Sequence, residues 1–188
     1  MQALLIIDMQ AGSFSETVRY DVKNVVNKIN RLSDLYRKTG NRVIYIQHDG
    51  TKENCFFPNS PDWEILPDLI VEPKDLFISK TANDAFYKTD LDNLLKDNHI
   101  NKIIITGCAT DFCVEATIQS ALVRDYSITV IKDGHTTADR PNLSSKAVID
   151  HYNWVWGNMT PTNGNINVVN FEDFLAEKAI KCKKSSES

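Results

Sequence analysis

Short apolar runs rich in valine and isoleucine alternate along this chain with segments whose apolar residues recur at helical spacing. The six strand-like runs are residues 3–7, 42–46, 76–79, 103–106, 128–131 and 166–169. Strands that alternate with helices build βαβ units, and their helices cover both faces of a sheet. The pattern therefore predicts an α/β fold: a three-layer, doubly wound, Rossmann-like sandwich around a six-stranded, mostly parallel sheet.

Helical periodicity also locates the segments between these strands. The predicted helices are residues 18–35, 90–98, 114–122, 143–152 and a last segment from residue 171. Gly40 follows the first helix, where a glycine commonly ends the helical conformation. Trp154 and Trp156 fall beyond the fourth predicted helix, where burial or a subunit contact explains them better than catalysis.

The chain has 188 residues, the length of one α/β domain, and no repeat or linker divides it. We expect a single domain over residues 1–180 and a disordered, lysine- and serine-rich tail over 181–188. Residues 50–73, between the second and third strands, form a long irregular segment rich in proline and aromatic residues. Loops this long are uncommon unless they are functional or disordered, so its aromatic residues are candidates for a lid.

The charge balance gives no indication of a polyanionic partner. The net charge is -4 at pH 7 and the isoelectric point is about 5.5, so we expect neither nucleic acid nor an anionic membrane surface. No apolar run approaches the roughly 20 residues of a membrane span. The chain opens directly into its first strand without signal-peptide features, which predicts a cytoplasmic location.

Cys113 lies where the fourth strand turns into an amphipathic helix. A thiol in the first turn of a helix lies near unpaired backbone N–H groups and the positive end of the helix dipole, which favour the thiolate. The same N–H groups can stabilise the oxyanion that forms when a thiolate attacks a carbonyl. Position alone leaves a catalytic thiol and an ordinary buried cysteine equally open.

Two charged residues follow other strands directly. Asp8 comes after the first strand and Lys80 after the third. Because the carboxyl ends of parallel strands meet at one edge of a sheet, we expect Asp8, Lys80 and the start of the Cys113 helix to converge there. A single charged residue at a strand end is more often a solvated terminus, but three complementary groups indicate a site.

These motifs resemble the isochorismatase-like cysteine hydrolases, a group that includes nicotinamidases and N-carbamoylsarcosine amidases. The resemblance rests on LIIDMQ at residues 5–10, Lys80 with Ala85-Phe86 downstream, GCATDFCV at 107–114 and DGHTT at 133–137. It implies Cys113 as the nucleophile, Asp8 as the general base and Lys80 as the group that holds the pair in register. It also implies a cis peptide bond before Ala109 and an oxyanion hole formed by the N–H groups of Ala109 and Cys113.

Two departures from the resemblance narrow the function. Nicotinamidases hold a metal through an Asp-x-His pair after the second strand, whereas here His48 and Asp49 are adjacent and in the reverse order. Adjacent residues of an extended segment point to opposite sides and make poor joint ligands, so we expect no metal and no cofactor. Isochorismatases proper cleave a vinyl ether and lack the cysteine, so Cys113 favours covalent amidase-type chemistry.

Five residues near the predicted strand ends are candidate substrate contacts. They are three aromatics and two histidines: Phe14, Phe86, Phe112, His48 and His135. The aromatics together indicate a small, largely apolar pocket, although each alone is more often part of a core. For the histidines, a substrate hydrogen bond and an ordinary hydrogen-bonded loop histidine are equally open.

The first functional hypothesis is a hydrolase that cleaves a C–N bond in a small amide or carbamoyl compound through a thioester on Cys113. The alternatives are a ligand-binding or scaffold protein of the same fold, and a thiol redox protein that pairs Cys113 with Cys108. Asp8 together with Lys80 favours the hydrolase, because a redox thiol needs no carboxylate base. The resemblance further implies a small-molecule substrate and a homo-oligomer.

Overall fold

A six-stranded sheet with every strand parallel to its neighbours runs through the computed structural model, which describes residues 1–186 and the side chains of 1–180. The strands are β1 (Gln2–Ile7), β2 (Arg42–His48), β3 (Leu76–Lys80), β4 (Lys102–Cys108), β5 (Ser127–Thr136) and β6 (Ile166–Val169). Their order is β3-β2-β1-β4-β5-β6. The predicted α/β fold is confirmed, and the sheet is wholly parallel.

Six α-helices and two short turns accompany the strands in residues 1–186, and the last helix follows β6. The helices are α1 (Gly12–Ser15), α2 (Val22–Lys38), α3 (Leu91–Asp97), α4 (Glu115–Leu122), α5 (Ser145–Gly157) and α6 (Phe171–Ser186). A 3₁₀ turn covers Thr51–Glu53, and a π-helical turn covers Thr110–Val114. Helices α2 to α6 pack on the two faces of the sheet because each has an apolar side that meets it.

The structure differs from the predicted helix ends at three places. Helix α2 begins after Asp21, which has a left-handed backbone, so Val18 lies outside the helix and is exposed. Helix α5 extends past the predicted end and includes both Trp154 and Trp156; the first is exposed and the second fully buried. Helix α6 continues through residues 181–186, where the sequence predicts a disordered tail, while residues 187–188 lie outside the described part.

Two apolar cores form because successive residues of each strand face opposite sides of the sheet. On one side, Leu5 and Ile7 of β1 pack with residues of α3, α4 and α5. On the other, Leu4 and Ile6 pack with residues of α2 and α6. The near-continuous apolar runs of the central strands are therefore buried on both faces, as a parallel sheet requires.

Gly107 allows the two central strands to approach closely at the edge where they end. It is paired with Ile7, and its φ of 119° lies in the region that favours glycine. A Cβ at this position would lie 2.2 Å from the Ile7 carbonyl oxygen. Glycine at 107 therefore lets β4 lie directly beside the end of β1.

The strand order reverses direction between β1 and β4, since β1 lies beside both β2 and β4. In open parallel sheets of this type, ligands bind in the crevice at the carboxyl ends of the strands beside such a reversal. Within residues 1–186, none of the helices has the length and apolar character that crossing a bilayer demands.

Candidate active site

Asp8 is the first residue after β1 and is almost fully buried, with 5% of its surface exposed. Its backbone is left-handed, with φ 47°, and its N–H donates to the Ile46 carbonyl at 2.9 Å. Aspartate adopts this conformation more readily than most residues. The turn directs the chain out of the sheet at the carboxyl edge and leaves the carboxylate beneath the surface.

Lys80 ends β3 and reaches the same place with a fully buried side chain, 1% exposed. Its Nζ lies 2.7 Å from Asp8 Oδ2 and 3.4 Å from Cys113 Sγ, and it also donates to the Ala82 carbonyl at 2.9 Å. Burial alone would lower the pKa of Lys80, but the Asp8 carboxylate and Cys113 raise it above its usual value. A buried ammonium therefore connects the carboxylate and the thiol.

Cys113 is carried by the π-helical turn that precedes α4 and is partly exposed. The peptide bond between Cys108 and Ala109, immediately before this turn, is cis. The resemblance seen in the sequence implied this bond, and the structure contains it. Local π-helical geometry is frequent at functional sites, and here it sets the position of the nucleophile candidate.

Buried side chains hold this turn from the neighbouring strand and helix. The Thr110 hydroxyl lies 2.8 Å from His135 Nδ1, and His135 Nε2 lies 3.2 Å from Asn153 Oδ1. Asp111 accepts two hydrogen bonds from Arg140 and one from the Thr137 hydroxyl, at 2.6–2.9 Å. The turn is thus fixed on both sides of the backbone that leads to Cys113.

The electrostatics of the thiol differ from the sequence-based expectation. Burial and the Asp8 negative charge raise the pKa of Cys113, and the Lys80 ammonium opposes them only in part. At rest the site therefore holds a neutral thiol beside a buried carboxylate and ammonium, where the sequence predicted a thiolate. Asp8 Oδ1 is buried without a hydrogen-bond partner among the described residues, so one carboxylate oxygen is free to accept a proton.

The family is shown by comparison with known proteins. Residues 2–163 match the model of the isochorismatase domain, a span that holds Asp8, Lys80 and Cys113. This chain belongs to the isochorismatase family. The family membership indicated by the sequence motifs is therefore confirmed.

The relatives of this isochorismatase-family chain include enzymes with different names. Streptothricin hydrolase of Streptomyces noursei is 33% identical over 75% of this chain and 56% of its own length, so the chain spans about half of that relative. Ureidoacrylate amidohydrolase RutB of Caulobacter vibrioides is 26% identical over 85% of this chain and 87% of its own length. A crystal structure of an isochorismatase-family hydrolase from Chromobacterium violaceum is 25% identical, with a TM-score of 0.83, and covers 93% of this chain and 92% of that one.

Two of the five predicted substrate contacts lie in the interior of this isochorismatase-family fold. Phe86 is 4% exposed and stacks on Tyr126 with ring centroids 5.7 Å apart, within the core. His135 is 1% exposed, and burial lowers its pKa to about 4, so it is neutral. The sequence predicted both side chains at the wall of a substrate pocket. Instead, Phe86 is a core residue, and His135 supports the turn through Thr110.

The other three predicted contacts keep accessible surface. Phe112 is half exposed, and the Arg140 guanidinium lies 5.0 Å from the centre of its ring. Phe14 is partly buried, with Arg19 5.5 Å from its ring centre. His48 ends β2 directly beside Lys80 and is partly buried.

Three polar residues near the site were missed by sequence reasoning. Asn83 Oδ1 lies 3.6 Å from Cys113 Sγ, Asp111 anchors the turn, and the Gln10 side-chain amide holds the backbone of His48. Gln10 follows Asp8 in the first motif, which is a signal that could have identified it. Asn83 lies in an irregular stretch whose path no periodicity specifies.

Across the part of the chain that the structure describes, no group of three or more His, Cys, Asp or Glu side chains could hold a metal ion. His48 and Asp49 are adjacent at the end of β2, and the Asp49 carboxylate accepts hydrogen bonds from Thr51.

Proposed function

We propose that this protein is a cysteine hydrolase that cleaves a C–N bond in a small amide or carbamoyl compound through a thioester on Cys113. The observation that carries the proposal is the position of Lys80 Nζ, 2.7 Å from Asp8 Oδ2 and 3.4 Å from Cys113 Sγ. A nucleophile, a base and an orienting group then occupy one buried cluster at the carboxyl edge of the sheet.

The first half of the reaction forms the thioester. Cys113 Sγ attacks the amide carbonyl carbon while its proton passes to Asp8, whose Oδ1 has no other partner. The backbone N–H groups of Ala109 and Cys113 stabilise the oxyanion. When the tetrahedral intermediate collapses, the C–N bond breaks, and Asp8 returns the proton to the leaving amine or ammonia.

The second half releases the product. A water molecule attacks the thioester carbonyl and gives a proton to Asp8. The C–S bond then breaks, the sulfur recovers that proton, and the carboxylic or carbamic acid leaves. Lys80 enters the reaction as an ammonium, because Asp8 and Cys113 raise its pKa in the resting site, and its positive charge lies beside the groups between which negative charge moves.

The names of the relatives support the proposed cleavage of a C–N bond. The name ureidoacrylate amidohydrolase describes cleavage at an amide-type C–N bond, and this relative covers most of the chain. Streptothricin hydrolase is a second hydrolase of the same family. We infer from these names a substrate that contains an amide or ureido group.

The position of Cys108 weighs against the redox alternative. Its side chain belongs to the core on the α2 side of the sheet, whereas Cys113 packs against the opposite core. Burial raises the pKa of Cys108 to about 12. A resolving thiol needs access and thiolate character, and Cys108 has neither.

A substrate panel tests the proposal. Purified protein is incubated with small primary amides, N-carbamoyl compounds and ureidoacrylate, and released ammonia is measured. We expect turnover of at least one compound, its loss in Cys113→Ala, and an acyl adduct on the Cys113 peptide when the reaction is quenched early. Turnover by Cys113→Ala would overturn the thioester mechanism, and binding without turnover across the panel would favour the ligand-binding alternative.

A further inference from the structure

His48 occupies a fixed position beside the proposed catalytic cluster. It is the register partner of Lys80 in the parallel β2–β3 pair, so both side chains project from the same face of the sheet. Gln10, three residues after the end of β1, holds the His48 backbone: Gln10 Oε1 accepts from the His48 N–H at 2.7 Å, and Gln10 Nε2 donates to the His48 carbonyl at 3.1 Å. The His48 backbone is therefore held by the segment that follows β1 and also contains Asp8.

The imidazole of His48 has one nitrogen with no partner. Nδ1 is buried and has no hydrogen-bond partner among the described residues. The ring packs edge-on against Phe56, with centroids 6.2 Å apart, and Nε2 lies 3.8 Å from a Glu53 carboxylate oxygen. Buried polar atoms nearly always have a partner, so this nitrogen requires an explanation.

The charges around the ring determine what Nδ1 can do. Burial and the Lys80 ammonium lower the pKa of His48, and they outweigh the opposing charges of Asp8, Glu53 and Asp49. The ring is therefore neutral at pH 7 and carries one proton. The Glu53 carboxylate near Nε2 favours the tautomer with that proton on Nε2, which leaves Nδ1 as a hydrogen-bond acceptor.

We propose that His48 Nδ1 accepts a hydrogen bond from an N–H group of the substrate and so selects primary amides and ureido compounds over oxygen analogues. The proposal rests on the proposed function and narrows its substrate class. A site with a buried acceptor rejects ligands without a donor, because the acceptor then stays unpaired. Esters and N,N-dialkylamides would bind to the same site but leave Nδ1 without a partner.

Two thiol reagents test this selection without a known substrate. Iodoacetamide and methyl iodoacetate both alkylate a thiol with loss of iodide, but only the amide carries N–H groups. Their rates at Cys113 are measured by peptide mass spectrometry and divided by their rates with free N-acetylcysteine. We expect the corrected amide-to-ester ratio in the unmodified protein to exceed one by roughly threefold to tenfold.

Three variants test whether His48 Nδ1 causes the preference for the amide reagent. His48→Phe keeps a ring against Phe56 but removes the acceptor, so its corrected ratio should fall to about one. His48→Asn places a side-chain oxygen near the position of Nδ1 and should retain much of the preference. His151→Phe, the same substitution at an exposed position on α5, is the control and should behave as the unmodified protein.

The ratio separates this proposal from the proposed hydrolysis, since alkylation requires no turnover. If the corrected amide-to-ester ratio is the same in the unmodified protein and in folded His48→Phe, the role of Nδ1 is overturned, even if amides are hydrolysed. A preference that falls in His48→Phe and returns in His48→Asn supports it, even if no panel compound turns over. If His48→Phe does not fold by circular dichroism, a ratio of one in folded His48→Asn would contradict the proposal.

Discussion

The two sides of the site are built differently. The nucleophile turn (residues 109–114) is held by buried side-chain hydrogen bonds, with Thr110 bound to His135 and Asp111 bound to Thr137 and Arg140. Each of these partners belongs to β5 or to the loop that follows it. The nucleophile turn is therefore positioned by the end of β5 and the loop that follows it.

The β2–β3 segment (residues 50–73) packs against Gln10 and His48 on the other side and is almost without regular structure. It is joined to the start of the chain by backbone bonds, such as Leu66 N–H to the Met9 carbonyl at 2.9 Å. The Gln10 and Gln47 amides both donate to the Trp63 carbonyl at 3.0 Å. Yet Trp63 Nε1, like His48 Nδ1 just before the segment, is buried without a partner in the described structure.

The contrast indicates that the two sides of the site have different roles. Polar groups on the nucleophile side are satisfied within the protein, which rigidifies the turn and fixes the reacting atoms. Polar groups on the segment side retain unused hydrogen-bonding capacity, as binding surfaces do before a ligand arrives. The fold would then determine the reaction, and the β2–β3 segment with the adjacent His48 would determine the substrate.

The largest effect on stability is expected at the buried ion pair. Lys80→Met leaves the Asp8 carboxylate buried without its cation and should lower the free energy of unfolding by about 3–5 kcal/mol. Because the pKa of Lys80 is raised, the stabilisation by its charge is present at neutral pH and is lost as pH rises through that folded-state pKa, above 10.5. Urea unfolding at pH 7 measures the loss.

The matched control is Lys146→Met, which removes the exposed ion pair with Asp150 on α5. Its unfolding midpoint should barely move, because solvent screens exposed pairs. Equal destabilisation by the two substitutions would mean that the Asp8–Lys80 pair is not a buried structural unit.

A medium effect is expected within the nucleophile turn. Thr110→Val keeps the shape of the side chain but leaves His135 Nδ1 unpaired in the interior, which should cost about 1–3 kcal/mol. Because the turn carries Cys113, kcat should fall more than KM rises once a substrate is known. Thr51→Val removes an exposed hydroxyl bond to Asp49 and serves as the control for thermal unfolding. A rise in KM without loss of kcat would show that the turn binds substrate and does not position the thiol.

The smallest effect on stability is expected in the β2–β3 segment. Trp63→Phe removes a buried N–H that has no partner among the described residues, so the lost packing is partly offset by the loss of an unsatisfied donor. We expect a change in the free energy of unfolding below about 1 kcal/mol, smaller than that of Thr110→Val. A larger destabilisation by Trp63→Phe would remove the contrast between the two sides of the site.

The sheet and the convergence at its edge could be predicted because they follow from periodicity. Short continuous apolar runs with helical crossovers allow few arrangements, and Asp8 and Lys80 fall at the ends of strands. The helix ends were less predictable: α5 continues through Trp154 because nothing in the local sequence interrupts it before Gly157.

The remaining details depend on tertiary contacts. His135 seemed a substrate contact because it follows an apolar strand, but β5 extends to Thr136 and carries it into the interior. The protonation state of Cys113 depends on the summed effect of burial, Asp8 and Lys80, whose distances no sequence pattern specifies. The same holds for His48 Nδ1, which is unpartnered only because of how the segment folds around it.

The proposed role of Asp8 is tested most directly by measuring the rates of hydrolysis and of Cys113 alkylation in Asp8→Asn. Asparagine also tolerates the left-handed backbone at this position. Hydrolysis should fall by about 10²–10⁴-fold, because the amide cannot carry the proton from the thiol to the leaving amine. Alkylation of Cys113 by iodoacetamide at pH 7 should be as fast or faster, because the Asp8 charge that raises the thiol pKa is gone while Lys80 remains.

Asp21→Asn is the control for this measurement, since Asp21 also has a left-handed backbone but lies on the surface. It should change neither rate. Loss of hydrolysis with retained alkylation in Asp8→Asn is the result the account predicts. Near-full hydrolysis in Asp8→Asn would contradict a mechanism in which Asp8 carries the proton of Cys113.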